Sequence, residues 1–390
     1  MNLQALETPV LVLDRLKMER NIARLRDRLA PSGVTLRPHA KTNKSADVAS
    51  RIGAPGTPIT VSTLKEAGYF LDHGWRDILY AVGIVPSKLP HVEDLVRRGA
   101  ALTLLLDNVE AAHALAAWCR ERALNVPVLI EIDTDGHRSG VKPADPALLD
   151  IAAALGKGGK DEGTGAWLAG VLTHAGDSYN CRSAEAIEAV AEQERAGAVQ
   201  AAERLHAAGY RAPVVSIGST PTAHFARSLE GVTEVRAGVF VFFDLVMHGI
   251  GVCNTDDIAL SVLCTVIGHQ REKGWLITDA GWMAMSRDRG TAKQPVDQGY
   301  GLVCDIDGKP LPELVMVDAN QEHGIVSHRT DPSATPMFPV GTLLRVLPNH
   351  ACATGAQHGA YTVVAGSTAV EAQWPRFGDG ERGFAIGWRR

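Results

Sequence analysis

The 390-residue chain has no cysteine pair at C-x-x-C spacing. Its six cysteines, Cys119, Cys181, Cys253, Cys264, Cys304 and Cys352, are scattered, so neither a zinc ribbon nor a disulfide framework is indicated. They are expected to be reduced and mostly core packing, with Cys352 the one to return to. No apolar run approaches the ~18 residues needed to span a bilayer. The opening Met-Asn-Leu-Gln-Ala-Leu-Glu also lacks the charged and apolar regions of a secretory signal, so a cytoplasmic protein without a membrane partner is expected. Basic residues number 39 against 44 acidic ones, a net charge of −5, which provides no electrostatic footprint for a nucleic acid partner. Low-complexity stretches and internal repeats are missing, and 45% apolar with 21% charged residues excludes general disorder. The glycine- and lysine-rich stretch at 156–165 lacks a G-K-[ST] ending and reads as a loop, not a phosphate cradle.

What the chain does have is alternation. Short β-rich apolar runs fall at 34–37, 59–62, 77–81, 101–106, 127–132, 168–173, 213–216 and 233–236. Between them lie stretches with apolar residues three and four apart, such as 92–98, 111–122 and 184–208. Asp14 is placed to cap a first helix with Leu16, Ile22, Leu25 and Leu29 on one side. Eight strand-helix units imply a parallel sheet with right-handed crossovers that can close into a (β/α)8 barrel; a doubly wound open sheet is the alternative. After about residue 250 the runs at 258–270, 275–278, 314–317, 343–347 and 361–365 are separated by Gly, Pro and Asp with little helical periodicity, the pattern of an all-β domain. The expected division is a barrel at 15–250 and a β domain at 251–390, with residues 1–14 pairing with the latter.

In such barrels the chemistry sits on the loops after the strands. The first strand runs into Arg37-Pro38-His39-Ala40-Lys41-Thr42, placing Lys41 at the barrel mouth, although a surface lysine is the common fate. The fifth ends in the loop Asp133 to Gly140 with Arg138; the sixth ends in Thr173-His174-Ala175-Gly176-Asp177-Ser178-Tyr179. Taken singly, these are a solvated charge and a structural histidine. Gly218, Ser219 and Thr220 follow the seventh strand, and Gly238 and Val239 the eighth, where small residues let backbone N–H groups approach an anion. Two ordinary turns would look the same. A phosphate at one rim and a lysine after the first strand suit pyridoxal 5'-phosphate. In the β domain, His350 and Cys352 would face one side of an extended segment, an imidazole–thiolate pair suited to Zn²⁺ that leaves positions open for water or substrate. His-x-Cys pairs also arise by chance.

Pro38 to Thr42, Thr173 to Tyr179, Gly218 to Thr222, Asp279 to Ser286, Asn320 to Gly324 and Pro348 to Cys352 together resemble one family. It is that of metal-activated pyridoxal-phosphate enzymes including D-serine dehydratase, D-threo-3-hydroxyaspartate dehydratase and D-threonine aldolase, and the likeness runs over nearly the whole chain. It implies an alanine racemase-like (fold type III) barrel followed by a β domain, assembled as a homodimer. It further implies a Schiff base on Lys41, phosphate held at Gly218, Ser219, Thr220, Gly238 and Val239, and His39, Arg138, His174 and Tyr179 around the cofactor. His350 and Cys352 would bind a divalent metal (Zn, Mn, Mg or Co). The His-x-Cys pair resembles the dehydratases, where aldolases tend to carry His-x-Asp. The stretches 61–67, 131–141 and 240–247 look most like the bacterial hydroxyaspartate enzymes.

The expected reaction is therefore dehydration of a D-β-hydroxy amino acid: D-threo-3-hydroxyaspartate to oxaloacetate and ammonia, or D-serine to pyruvate. D-threonine-type retro-aldol cleavage to glycine and an aldehyde is the alternative. A non-catalytic pyridoxal-phosphate carrier is an alternative of another class, but it leaves the metal pair unexplained.

Overall fold

In the computed structural model, residues 1–159 and 165–378 are described; half of the loop read at 156–165, residues 160–164, lies outside them. After β1 (Val10–Asp14) come eight strands: β2 (Thr35–Pro38), β3 (Ile59–Val61), β4 (Asp77–Gly83), β5 (Ala101–Leu106), β6 (Asn125–Ile132), β7 (Gly165–Thr173), β8 (Val214–Ile217) and β9 (Glu234–Ala237). They form one parallel sheet in the order β2-β9-β8-β7-β6-β5-β4-β3, and a parallel bridge between His39 and Thr60 brings the two ends together. The open-sheet alternative is thereby excluded in favour of a nearly closed barrel. Strands β6 and β7 are buried along most of their length, as expected of a parallel sheet covered on both faces. Leu79, Leu105, Leu129, Ala169 and Leu172, from four adjacent strands, form one apolar cluster.

Local sequence explains the helix starts. Thr63 and Glu66 form a reciprocal capping box on helix Leu64–Asp72, and Asn108 and Ser183 cap helices Val109–Arg122 and Ala184–Ala207. Asp14 accepts a hydrogen bond from the Lys17 backbone N–H at the head of helix Arg15–Leu29. The buried face of that helix differs from the expected one: Met18, Ile22, Leu25 and Leu29 are buried, whereas Leu16 is 40% exposed. The spacing 18, 22, 25, 29 keeps one stripe, and residue 16 falls off it.

The other compact unit is built on nine strands, β1 with β10 (Leu260–Gln270), β11 (Trp275–Thr278), β12 (Gly301–Cys304), β13 (Pro310–Ala319), β14 (Gly324–His328), β15 (Leu343–Pro348), β16 (Ala360–Val364) and β17 (Val370–Pro375). Their order is β11-β14-β13-β12-β15-β10-β1-β16-β17, and a further β10–β11 pairing closes six of them into a ring. Strand β1 runs antiparallel to β10 and parallel to β16. Strands β12, β14 and β17 had no strand reading in the sequence because each is short or interrupted by polar residues.

By compactness the chain divides into a barrel unit, Leu25–Lys41 with Ala49–Gly238, and a β unit holding Met1–Arg24, Thr42–Val48 and the chain from Val239 on. The expected boundaries at 15 and 250 thus shift, and a short segment after Lys41 joins the β unit. Tyr361 donates to the Asn43 carbonyl (2.7 Å), and Phe377 N–H to that of Lys44 (2.6 Å).

Candidate functional site

In the barrel unit, the residues after the strands converge electrostatically. Lys41 is exposed; the ring of His174 is partly buried. Burial, followed by the positive charges of Lys41 and Arg236, holds His39 well below the ordinary histidine range. Burial likewise brings His174 down to about 3, with Lys41, Arg138 and Arg236 pushing the same way. His174 Nδ1 lies 3.0 Å from the carbonyl oxygen of Gly218. Since a carbonyl only accepts, Nδ1 carries the proton, and a neutral ring then presents Nε2 as an acceptor. The ring of Tyr179 lies 6.3 Å from that of His174, centroid to centroid.

Arg138 is exposed and pairs with Glu131 at 3.5 Å. Its loop is shaped by Asp133, whose carboxylate accepts from the N–H groups of Asp135 and Gly136. Gly140 is obligatory there: at φ +112°, a Cβ would lie 2.7 Å from the Asp133 nitrogen. Arg236, in β9, is buried and donates to Ser216 Oγ and the Thr173 carbonyl. Burial lowers its pKa to about 10 despite the carboxylates of Glu234, Glu194 and Glu131.

The phosphate reading needs a correction in detail. Gly218 has φ +134°, and a Cβ would sit 2.2 Å from the Arg236 carbonyl oxygen, so the glycine serves the approach of two barrel segments. Its N–H donates to Glu194 Oε1 (2.9 Å). Ser219 caps helix Thr220–Phe225: its hydroxyl accepts from Thr222 N–H, and its own N–H donates to Thr222 Oγ1. Both groups are thus engaged inside the fold. Thr220 opens that helix, buried, and Gly238 ends the barrel unit. Val239 starts the 3-10 helix Val239–Val241 and belongs to the β unit. A cluster with three cations, Lys41, Arg138 and Arg236, beside neutral imidazoles fits a ligand carrying a phosphate dianion.

Glu194 was missed by sequence reasoning. It lies on the buried face of Ala184–Ala207 with Ile187, Ala191, Ala198 and Leu205, is itself 0% exposed, and burial raises its pKa. A lone carboxylate on an alanine stripe was the available signal.

In the β unit, His350 and Cys352 do come together, but not on an extended segment. His350 is the N-cap of helix Ala351–Gly355, with Cys352 in its first turn, so helix geometry rather than strand alternation sets the pair. Six Cys residues are free thiols, and five of them are buried with pKa values pushed upward by desolvation; Cys119 and Cys304 reach about 12. Cys352 is only half-buried, 3.2 Å from Thr42 Oγ1. Asp288, 62 residues away in sequence, places its carboxylate 2.7 Å from His350 Nδ1. Burial opposes a charge on His350, but the bonds to Asp288 and Cys352 and the charge of Asp244 outweigh it, raising the imidazole to about 11. The pocket therefore draws positive charge. With Nδ1 turned to Asp288, the Nε2 side and the thiol remain as a nitrogen–sulfur donor pair, which fits a borderline-soft divalent metal. Among the described residues no cluster of three or more His, Cys, Asp or Glu is arranged as a metal site.

Two other motifs meet in the same unit. Trp282 and Met283 N–H groups donate to the carbonyls of Asn320 and Gln321, and a Cβ on Gly281 would strike the Asn320 oxygen at 2.3 Å. Nearby Asn349 donates to the carbonyls of Asp288 and Gly299 and accepts from Thr291, fixing the loop that carries Asp288.

Barrel and β unit define a protein of the alanine racemase-like class. The family described as "Alanine racemase, N-terminal domain" matches residues 13–246, and "Putative serine dehydratase domain" matches 259–364. The chain is 57% identical to D-threo-3-hydroxyaspartate dehydratase of Delftia sp. (strain HT23), over 96% of this chain and 98% of that one. It is 30% identical to D-serine dehydratase of Dictyostelium discoideum, over 92% and 93% of the two chains. The solved Delftia sp. HT23 structure superposes with TM-score 0.92 at 56% identity, covering 97% of this chain and all of that one. A cysteine-to-alanine variant of that dehydratase has been solved in a metal-free form. The chain belongs to the family that unites these D-threo-3-hydroxyaspartate and D-serine dehydratases. Among the described residues no helix is long and apolar enough to cross a membrane.

Proposed function

We propose that this chain is a pyridoxal-phosphate- and divalent-metal-dependent dehydratase of D-β-hydroxy amino acids, converting D-threo-3-hydroxyaspartate to oxaloacetate and ammonia. The observation that carries this reading is the 57% identity to a D-threo-3-hydroxyaspartate dehydratase along essentially the full length of both chains. The meeting of His350 with Cys352 and Asp288 supports it from the chain's own geometry.

Lys41 would hold pyridoxal phosphate, with Arg138, His174, Tyr179, Thr220 and Gly238 around it. When bound, that cofactor supplies an electron sink that acidifies the substrate's α C–H. His350 and Cys352 would hold the divalent ion, which supplies a Lewis acid for departure of the β-hydroxyl. The amine of Lys41 takes the α-proton as general base. His174, neutral and fixed through Nδ1 to Gly218, offers Nε2 as an acceptor. Asp288 holds the His350 ring so that its other nitrogen faces away from the carboxylate. Loss of the α-proton and the β-hydroxide leaves an enamine, which tautomerises to an imine and takes up water to release ammonia and the 2-oxo acid. The same reading makes the enzyme a cytoplasmic homodimer.

The test is product identification. Purified protein supplied with pyridoxal phosphate is incubated with D-threo-3-hydroxyaspartate, D-serine and D-threonine, before and after chelation. Metal-dependent formation of oxaloacetate and ammonia is expected. Release of glycine and an aldehyde without ammonia would replace the dehydratase reading by an aldolase.

A further inference from the structure

Glu194 stands out as a buried acid that the proposed chemistry does not use. It sits in mid-helix on the face that packs against the barrel strands, fully enclosed, among alanines and aliphatics. One oxygen, Oε1, accepts two backbone hydrogen bonds at 2.9 Å, from Ala175 N–H and from Gly218 N–H. These two donors belong to different loops, one following β7 and the other following β8. Ala175 is the residue after His174, and the Gly218 carbonyl is the group on which His174 Nδ1 rests. The Gly218 residue is therefore gripped by its N–H from Glu194 and by its C=O from His174, while Ala175 ties the histidine's own backbone to the same carboxylate. The ring is closed. A second strut, Ser178 Oγ to Ser219 Oγ at 2.9 Å, joins the same loops one step further out.

A buried carboxylate is costly unless it organises donors that would otherwise be unpaired. Here those donors are the Gly218 N–H, first beyond β8, and the Ala175 N–H, second beyond β7, where the chain must leave the sheet and no ladder partner remains. We propose that Glu194 is a positioning residue: through Ala175 and Gly218 it fixes the tautomer and placement of His174 and the start of the Ser219–Thr222 cap, and thereby sets affinity for pyridoxal phosphate. This rests on the cofactor reading above. It makes a distinction that a general packing role does not: the side chain must present one acceptor oxygen at this length, and its charge is secondary. Gln keeps that oxygen. Asp keeps the charge but is one methylene too short to reach both loops, and Ala removes the acceptor.

The experiment uses the full chain as Glu194→Gln, Glu194→Asp and Glu194→Ala beside the wild type. Each is titrated with pyridoxal phosphate by absorbance, and the His174 Nδ1–H resonance is followed in ¹⁵N-histidine-labelled protein without added cofactor. Glu194→Gln is expected to bind within about threefold of wild type and to keep the Nδ1–H signal. Glu194→Asp and Glu194→Ala should bind at least about tenfold more weakly, the scale of loss when buried N–H donors lose their partner, and should lose that signal. Should Glu194→Ala not fold, Glu194→Asp carries the comparison. Wild-type affinity and an intact His174 signal in the Asp and Ala variants would overturn the proposal, as would a Gln variant as impaired as Ala. A wild type that binds no pyridoxal phosphate would count against the cofactor reading instead, with the histidine signal still deciding whether Glu194 positions the ring.

Discussion

His174 should make this protein measurably acid-sensitive. Its imidazole is held down to about 3 by burial, with Lys41, Arg138 and Arg236 adding to the effect against the hydrogen bond to Gly218. In the unfolded chain the ring returns to an ordinary pKa of about 6.5. The sign follows from proton counting. Between those two values the unfolded chain binds a proton that the native site refuses, so unfolding takes up protons and stability falls as the pH falls. Above about 6.5 neither state is protonated, and the site contributes no pH dependence. Within the window each pH unit costs up to about 1.4 kcal/mol, and because the unfolded ring is only half protonated at pH 6.5, moving from pH 6.5 to 5 removes about 1.6 kcal/mol through this one ring. His39 is depressed in the same direction and adds to the slope. Proton uptake during guanidinium unfolding at pH 5, measured by pH-stat, isolates His174 without assuming a two-state transition. His174→Gln should take up about one proton fewer per chain than wild type, because nearly every unfolded His174 and almost no native one is protonated there. Equal uptake by the two proteins would refute the claim that the native ring is neutral.

Two other perturbations address the two units separately. Gly218→Ala places a methyl 2.2 Å from the Arg236 carbonyl oxygen at a φ of +134°. It should lower stability by about 3 kcal/mol or more, seen as a drop of several degrees in the thermal midpoint; an unchanged midpoint would mean that the segments separate without cost. Asp288→Ala removes the carboxylate that orients His350. Affinity for zinc, measured by competition with a chelating dye, should fall by about 10- to 100-fold, with Asp288→Asn in between, and an unaltered affinity would remove Asp288 from the proposed metal site.

The barrel was legible because its signals are local. Eight apolar runs of strand length alternate with helical periodicity, and burial on both faces of a parallel sheet writes itself as near-continuous hydrophobic stretches such as 126–132. Lys41, His174 and the glycine-bearing turns are picked out by the same logic, since strand ends are where a barrel exposes side chains and backbone N–H groups. His350 and Cys352 do lie together, but for a reason other than strand alternation: the first is a helix cap and the second part of the first turn.

What sequence could not say concerns partners distant along the chain. Asp288 reaches His350 across 62 residues, and Glu194 reaches Ala175 and Gly218 from a helix that reads as alanine-rich packing. Gly218 looked like an anion-binding residue, and only its neighbours reveal that its N–H is spent on Glu194 and its missing side chain on Arg236. Cysteine shows the division most plainly. The sequence alone, with no C-x-x-C pair among six cysteines, excluded a zinc ribbon, because ligand spacing is a property of the chain. Which thiol could serve chemistry was decided by tertiary structure, because burial pushes five of them toward inertness and leaves Cys352 half-exposed beside an imidazole whose other nitrogen is held by a carboxylate.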